Sequence, residues 1–218
     1  DSNIGEGVDV NVEYVSANPT GPLHVGHARG AVFGDALAAL LAKSGYAVTK
    51  EYYINDAGRQ MDILAVSVFL RYLELCGEEF EFPANAYQGD YVFDIAASLH
   101  RDLGEDLRQP LDAIIGSLPT DGDQLLDTLI SRAKTLLGKE CFTRIHDLAR
   151  DTLVDDIRED LSQFGVTFDH WFSENTLVTG NAVARVVEKL TENGLMYEKD
   201  GALWLRTTDY GDEKDRVV

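Results

Sequence analysis

The fold is decided by residues 8–27, which read VDVNVEYVSANPTGPLHVGH. The first seven residues alternate between apolar and polar side chains, and this period of two predicts a half-buried strand. Two prolines and a glycine follow within residues 18–22 and exclude regular structure there. Beyond His24 the apolar residues recur at helical spacing, and Lys43 followed by Gly45 predicts the end of that helix. The apolar residues of this predicted helix are Val32, Phe33, Ala36, Leu37, Leu40 and Leu41.

A second strand and helix repeat the pattern. Residues 47–54 are rich in β-branched and aromatic side chains, and the run after them has one apolar face that ends at Leu75, just before Gly77. Asn55 or Asp56 is expected to cap this second helix. Strands and helices that alternate with short connections predict an α/β fold with a parallel sheet and right-handed crossovers.

The remaining sequence predicts an organisation in three parts. Segment 77–140 is acidic and contains three prolines, and we interpret it as an inserted, mostly helical lobe with short helices near 91–103 and 124–137. A long amphipathic helix, a short strand, another helix and a hairpin turning at Asp200-Gly201 follow it. These later elements are predicted at 142–164, 168–172, 180–192 and 195–205. The predicted parts are therefore 1–76, the lobe 77–140, and a helical connective region with its hairpin at 141–218.

The charge balance is strongly acidic. The chain has 19 basic and 38 acidic residues, a formal net charge of −19 and an isoelectric point near 4.5. Such a surface repels a phosphate backbone. The main contacts with any nucleic acid are therefore expected to involve a small local surface or regions outside this chain. The simpler interpretation is a solvated surface that aids solubility.

Cysteine content and hydropathy indicate the kind of cellular compartment in which the protein is expected. Cys76 and Cys141 are the only cysteines and form no CxxC pair, which argues against a disulfide framework or a zinc site and fits a reducing, cytoplasmic compartment. No apolar stretch reaches the ~20 residues of a membrane span, so no membrane partner is expected. The chain begins without Met and ends at Val218 in what reads as the start of a strand, and we expect it to be a fragment of a longer protein.

The motif with chemical content is His24-Val25-Gly26-His27, where the predicted loop meets the helix. The first turn of a helix offers unpaired N–H groups and a positive dipole end, which favour phosphate. Gly26 removes a side chain where a flat ring or a backbone must come close. Two imidazoles three positions apart can donate hydrogen bonds to phosphoryl oxygens in an in-line displacement. The alternative is a solvated loop histidine, a helix-start histidine and a simple turn glycine.

This motif resembles the HIGH signature of class I aminoacyl-tRNA synthetases, and the longer run 12–30 is similar to the signature of bacterial arginyl-tRNA synthetases. Residues 55–61 (NDAGRQM) and 204–218 (WLRTTDYGDEKDRVV) extend the similarity over nearly the whole chain. The resemblance implies a Rossmann-like catalytic core, with residues 1–76 as its first half. It also implies that the full-length protein condenses L-arginine with ATP to arginyl-adenylate and transfers arginine to tRNA(Arg).

The resemblance further implies roles for the residues that match the signature. His24 and His27 would be the catalytic residues facing the ATP phosphates, with Gly26 beneath the adenosine. Ser16 and Asn18 match positions that hold the α-amino group of arginine. Ammonium recognition needs hydroxyl or amide oxygens, which these two side chains supply. Read without the resemblance, Ser16 is a loop hydroxyl and Asn18 a turn-forming side chain.

The resemblance also implies a set of residues around the arginine side chain. Glu13 matches a strand acid near the arginine pocket, His27 would share in arginine binding, and Glu174 is a weaker match to a second pocket acid. A guanidinium is a permanent planar cation that carboxylates can bind with two hydrogen bonds. Without the resemblance, Glu13 is an ordinary outward-facing strand residue.

The resemblance leaves parts of the family pattern unmatched. No lysine-rich KMSKS motif occurs in this chain, so we expect the fragment alone to be inactive as an arginine–tRNA ligase. The resemblance implies ATP as a substrate with Mg²⁺, tRNA contacts mainly through regions outside this chain, and a monomeric full-length protein. No residue of this chain is expected to bind a metal ion. Two alternatives remain open: an HxGH nucleotidyltransferase or adenylyltransferase, and a nucleotide-binding scaffold without turnover.

Overall fold

The computed structural model describes residues 3–218, which form two compact units, one ending at Ser173 and the other spanning Glu174–Val218. The three strands of the first unit form one parallel sheet in the order β1–β2–β3, which confirms the predicted α/β fold. The elements of this unit are β1 (Asp9–Glu13), α1 (Val25–Lys43), β2 (Ala47–Ile54), α2 (Arg59–Leu75), α3 (Asp90–Leu103), α4 (Leu111–Ile115), α5 (Gly122–Gln163) and β3 (His170–Ser173).

The strand, loop and helix predicted from residues 8–27 are confirmed. β1 pairs with β2 in register from Asp9 opposite Ala47 to Glu13 opposite Glu51. α1 ends at Lys43, and Gly45 then adopts a φ of 95°, a left-handed conformation that favours glycine. The long loop between β1 and α1 therefore lies beyond the carboxyl end of β1, where α/β proteins place their ligands.

One face of the sheet is covered by α1 and the C-terminal part of α5. The core beneath them contains an aromatic group in which the Tyr52 and Trp171 rings stack at 4.3 Å and the Tyr14 and Phe168 rings lie 4.5 Å apart. The buried residues of this core are Tyr14, Ala31, Tyr52, Ile54, Val154, Ile157, Leu161 and Val166. The opposite face, at the Asp9, Asn11 and Glu13 positions of β1, is exposed.

α1 contacts the sheet through its small residues. Its buried positions are Ala31, Gly34 and Ala38, while its large apolar side chains lie on the exposed side. The cause is the Tyr14 ring, which packs directly against the backbone of Gly34. The large exposed residues are Val25, Val32, Phe33, Leu37 and Leu40. The helical spacing was predicted correctly, but the face that the helix presents to the sheet is set by close backbone approach.

α2 is the centre of a second, larger core. Instead of one apolar face, 11 of its residues are buried, because α3 and α5 pack around it. The helix ends at Leu75, and Gly77 follows with a φ of 89°, as the sequence predicted. The prediction that Asn55 or Asp56 caps this helix is wrong. The capping position is Gly58, which has no side chain to bond the first amides.

The last helix of segment 77–140 is followed directly by the long helix beyond residue 140. α3 agrees with the helix predicted near 91–103. The helix predicted at 124–137 and the longer one predicted at 142–164 are joined in α5, which is interrupted at Gly138 with φ 72° and ψ 167°. Gly138 is not helical, and only glycine adopts such a conformation readily, so the two predicted helices lie on either side of a kink at this residue. The division into 1–76, 77–140 and 141–218 stays a prediction.

The second unit is small. The predicted hairpin is confirmed with Asp200 and Gly201 at φ 53° and 75°, the positive values that a type I′ turn requires. Its elements are α6 (Asn175–Thr179), α7 (Ala182–Glu192), β4 (Met196–Lys199), β5 (Ala202–Leu205), a 3₁₀ turn (Thr207–Tyr210) and β6 (Arg216–Val217), which pairs with β5. In the described part of the chain, no helix combines the length and apolar character needed to cross a membrane.

Candidate active site

The two motif histidines cap α1 reciprocally. His24 is the N-cap residue, and its Nδ1 accepts a hydrogen bond from the Gly26 amide at 3.1 Å. His27 lies in the first turn, and its Nδ1 accepts from the His24 amide at 3.2 Å. This is a capping box, an arrangement usually built from Ser or Thr with Glu or Gln. The imidazoles thus occupy the end of the helix where anions are favoured.

The hydrogen bonds define the protonation of both rings. A ring nitrogen that accepts a hydrogen bond carries no proton, so each neutral imidazole keeps its proton on Nε2. The two rings stack with centroids 3.8 Å apart and planes inclined by 21°. Burial lowers the pKa of His27, and the neighbouring His24 lowers it further. The helix start therefore presents a pair of Nε2–H donors whose tautomers are fixed by main-chain amides.

Gly26 is required by contact with His24. A Cβ atom at position 26 would lie 2.8 Å from Cε1 and 2.9 Å from Nδ1 of the His24 ring, closer than real side-chain contacts allow. The equivalent position one turn on, Gly30, has no atom within 4 Å of its would-be Cβ. Gly26 therefore lets the imidazole fold over the first turn, a reason for glycine beyond the one predicted from ligand approach.

We expect His27 to titrate below its ordinary pKa of 6.5. Because a protonated Nδ1 cannot accept from the His24 amide, the capping bond is present while His27 is neutral and is lost only as the pH falls through the lowered pKa of His27. The check is an NMR titration of the ring resonances. In His24→Ala the midpoint should rise toward 6.5, since part of the burial of His27 and the electrostatic effect of the neighbouring His24 are removed. A wild-type midpoint at or above 6.5 would contradict the expectation.

The loop after β1 carries the two residues predicted to hold the α-amino group. Val15 and Ser16 have φ values of 65° and 41°, a left-handed conformation that is costly for residues other than glycine and often marks functional sites. The Ser16 hydroxyl oxygen accepts from the Tyr53 amide at 3.0 Å, which ties this strained turn to β2. The backbone strain is therefore held in place by the neighbouring strand.

Asn18 lies at the centre of a chain of amide side chains. Its Nδ2 donates to Oε1 of Gln60 at 2.9 Å, and its Oδ1 accepts from Nδ2 of Asn55 at 3.0 Å. Asn55 therefore orients Asn18, where sequence reasoning expected a helix cap. Asp56, the other expected cap, is 2% exposed and accepts from the Ser173 hydroxyl at 2.6 Å. Both residues thus connect β2 to other parts of the unit.

Glu13 lies on the exposed face of the sheet beside a second acid that the sequence analysis missed. Its strand partner is Glu51, whose carboxylate pairs with Nδ1 of His170 at 2.7 Å and accepts from Nδ2 of Asn11 at 3.3 Å. The hydrogen bond from His170 lowers the pKa of Glu51. The alternation of β2 was the available signal, because residues in register on parallel strands point to the same face.

The predicted residues fall into separate groups within residues 3–218. The histidines form one stacked pair, while Ser16 and Asn18 share one loop. No hydrogen bond or ring contact in this part of the chain joins Glu13, Ser16 or Asn18 to either histidine. Glu174 belongs to the second unit, and its place in an arginine pocket stays a prediction.

His24 borders a cavity of about 270 Å³ between the start of α1 and the end of α5. Its other lining residues are Leu23, Val25, Ala28, Asp160, Leu161 and Phe164. The described residues hold no group of three or more His, Cys, Asp or Glu side chains arranged to bind a metal ion, so we assign no residue to Mg²⁺.

Comparisons with known proteins match the chain to one family. The family model "tRNA synthetases class I (R), catalytic domain" matches residues 2–107. The chain is 56% identical to the arginine–tRNA ligase of Thioalkalivibrio sulfidiphilus, with 100% of the chain and 38% of that protein covered. It is 52% identical to the arginine–tRNA ligase of Hydrogenovibrio crunogenus, with 99% and 38% covered. The chain thus spans 38% of the length of these curated relatives.

Solved structures give the same result. The crystal structure of an arginyl-tRNA synthetase from Campylobacter jejuni superimposes with a TM-score of 0.76 at 33% identity, covering 100% of this chain and 42% of that one. The arginyl-tRNA synthetase of Thermus thermophilus has a TM-score of 0.51 at 23% identity, covering 96% and 32%, and supports the fold alone.

Proposed function

Because this chain belongs to the class I arginyl-tRNA synthetase family, we propose that it carries the part of the catalytic domain that binds ATP and the α-amino end of L-arginine. For the full-length protein we propose the whole reaction: activation of arginine to arginyl-adenylate with release of pyrophosphate, then transfer of arginine to tRNA(Arg). The relatives with which this chain aligns carry the name arginine–tRNA ligase, which favours this reaction over the adenylyltransferase alternative.

The observation that carries the proposal is the reciprocal histidine cap. In the first step the arginine carboxylate attacks the α-phosphorus of ATP and pyrophosphate leaves, so negative charge shifts among phosphoryl oxygens. Fixed N–H donors stabilise such charge without having to reorganise. With Nδ1 of His24 and His27 held by main-chain amides, the Nε2–H groups are those donors, assisted by the positive end of the α1 dipole.

The loop after β1 fits the arginine end of the substrate. Asn18 Oδ1 and Ser16 Oγ each accept one protein hydrogen bond and have a second lone pair for the α-ammonium group. Glu13 supplies a carboxylate on the exposed sheet face for the positively charged side chain. Mg²⁺ accompanies ATP in this proposal and supplies charge neutralisation at the phosphates.

The partners of the full-length protein follow from the same family. We propose that tRNA(Arg) is bound mainly by regions outside this chain, because the net charge of −19 disfavours a polyanion. A cytoplasmic location, predicted from the cysteine content, and a monomeric full-length protein stay predictions.

The proposal is tested by measuring ATP binding to this chain by calorimetry. We expect the His24→Ala/His27→Ala double variant to lose about tenfold or more in affinity, or ~1.4 kcal/mol of binding free energy, because both Nε2–H donors are removed. His146→Ala is the matched control, since this histidine lies in α5 beside Asp147 and takes no part in the cap. Equal ATP affinity for wild type and the double variant would refute the proposed phosphate role.

A further inference from the structure

The loop that carries Asn18 is held at several successive residues. Ser16 is bonded to the Tyr53 amide, and the next carbonyl, that of Ala17, accepts from the buried Tyr52 hydroxyl at 3.0 Å. Asn18 is held between two amide side chains, as described above. β2, Asn55 just after it and the first turn of α2 therefore position the first half of the loop.

The second half of the loop is held from segment 77–140. The Tyr91 hydroxyl donates to the Thr20 carbonyl at 2.7 Å, across 71 residues of sequence. The Thr20 amide in turn donates to the Asn18 carbonyl at 2.8 Å, so the turn held by Tyr91 is bonded to the backbone of Asn18 itself. A Cβ at Gly21 would lie 3.3 Å from the same hydroxyl, which shows how closely the phenol fits the turn.

Tyr91 is itself rigidly supported. It is the second residue of α3, whose side chains Val92, Ile95, Ala96 and Leu99 are buried in the core around α2. Burial raises the pKa of Tyr91, with a smaller contribution from Tyr87, so the hydroxyl stays a hydrogen-bond donor at neutral pH. Because the Tyr91 hydroxyl is already fixed by the packing of α3, it can hold the turn before any ligand binds, and no entropy is lost at this residue on binding.

We propose that Tyr91 is a positioning residue for the amino-acid site. Its hydroxyl fixes the Thr20 turn and thereby orients Asn18 toward the α-ammonium of arginine, which makes segment 77–140 a working part of the site. This step rests on the proposed function for its consequence, while the positioning itself is measured without any ligand.

The test compares Tyr91→Phe with wild type by amide hydrogen exchange and NMR of this chain. We expect exchange at the Thr20 amide to accelerate about tenfold and the side-chain amide resonances of Asn18 to shift, since one anchor of the turn is lost. The amides of α3 should keep their protection, because the ring remains. Tyr87→Phe is the matched control: it removes the same atom from a neighbouring tyrosine whose hydroxyl has no hydrogen-bond partner in the described residues.

A second variant reaches the same contact from the loop. Gly21→Ala adds a methyl group beside the Tyr91 hydroxyl and leaves α3 untouched, so the same changes at Thr20 and Asn18 are expected. Unchanged Thr20 exchange in Tyr91→Phe overturns the inference. Loss of protection throughout α3 overturns it too, since Tyr91 would then support the helix and not the loop.

The functional consequence has a separate readout. In the same samples we expect the affinity for L-arginine, measured by calorimetry, to fall about threefold in Tyr91→Phe and to stay unchanged in Tyr87→Phe. If the wild-type chain binds no L-arginine, the proposed arginine site fails, while the exchange data still decide whether Tyr91 holds the turn. If L-arginine affinity is unchanged although Thr20 is mobilised, the loop does not orient Asn18 toward the ligand and the positioning role is overturned.

Discussion

Replacing Gly34 by alanine is expected to lower the free energy of unfolding of the first unit by about 2 kcal/mol. α1 lies on the sheet at this point with the Tyr14 ring against its backbone, and the added methyl group would overlap the Cβ and ring atoms of Tyr14. Tyr14 cannot move aside, because it is 9% exposed and its ring lies 4.5 Å from that of Phe168. The helix must therefore shift away from β1.

The measurement is denaturant unfolding of Gly34→Ala beside Gly30→Ala. Gly30 is on the same helix and has open space around its would-be Cβ, so alanine there should raise the free energy of unfolding by about 0.5–1 kcal/mol through helix propensity. Opposite signs for two identical substitutions four residues apart isolate the effect of close packing. Equal stabilisation by both would show that α1 is not seated on Tyr14.

The different environments of Gly30 and Gly34 also show which part of the fold could not be predicted from the sequence. The strand, the loop and the extent of α1 were predictable because alternation, prolines and the Lys43–Gly45 stop are local signals. The face of α1 that meets the sheet was not predictable, because the large apolar residues such as Phe33 outweigh Gly34 in any hydrophobic pattern. The choice depends on the shape of Tyr14, which lies outside α1, directly after β1.

The candidate site shows the same limit. Its residue types were carried over from the HxGH signature, but the partners that orient them are remote in sequence. Asn18 is held by Asn55 and Gln60, which are 37 and 42 residues away, and Thr20 is held by Tyr91, 71 residues away. The cap assigned to Asn55 was wrong because the same amide is used by the loop, and only the folded chain brings the two together.

The reciprocal histidine cap was also beyond local prediction. Statistics of helix starts favour Ser, Thr, Asp and Asn at the N-cap, so His24 gave no capping signal. Sequence reasoning assigned both imidazoles to a ligand, and the structure adds that His24 and His27 first satisfy each other's end of the helix. Their ability to donate from Nε2 is thus a consequence of the fold. Substitution of Gly26, which contacts the His24 ring, should therefore disturb it.

Gly26→Ala is expected to reduce the ATP affinity of this chain about tenfold while changing its stability by less than about 1 kcal/mol. The new methyl group would occupy the space of the His24 ring and force the imidazole away from the Gly26 amide, so its Nε2–H is no longer fixed. The stability changes little because the lost capping bond, worth about 1 kcal/mol, is offset by the better helix propensity of alanine. If Gly26 had only a structural role, alanine would lower the stability and leave the ATP affinity unchanged.

The displacement of His24 has a signature that does not depend on ATP. With the ring moved away, His27 loses part of its burial and the electrostatic effect of the neighbouring His24, so its pKa should rise from its lowered value toward 6.5. Gly30→Ala is again the control, since it adds the same atom one turn on without touching either histidine. A raised His27 pKa with unchanged ATP affinity would separate the cap from phosphate binding. If Gly26→Ala both raises the His27 pKa and lowers the ATP affinity, while Gly30→Ala changes neither, phosphate binding depends on the His24 position that Gly26 permits.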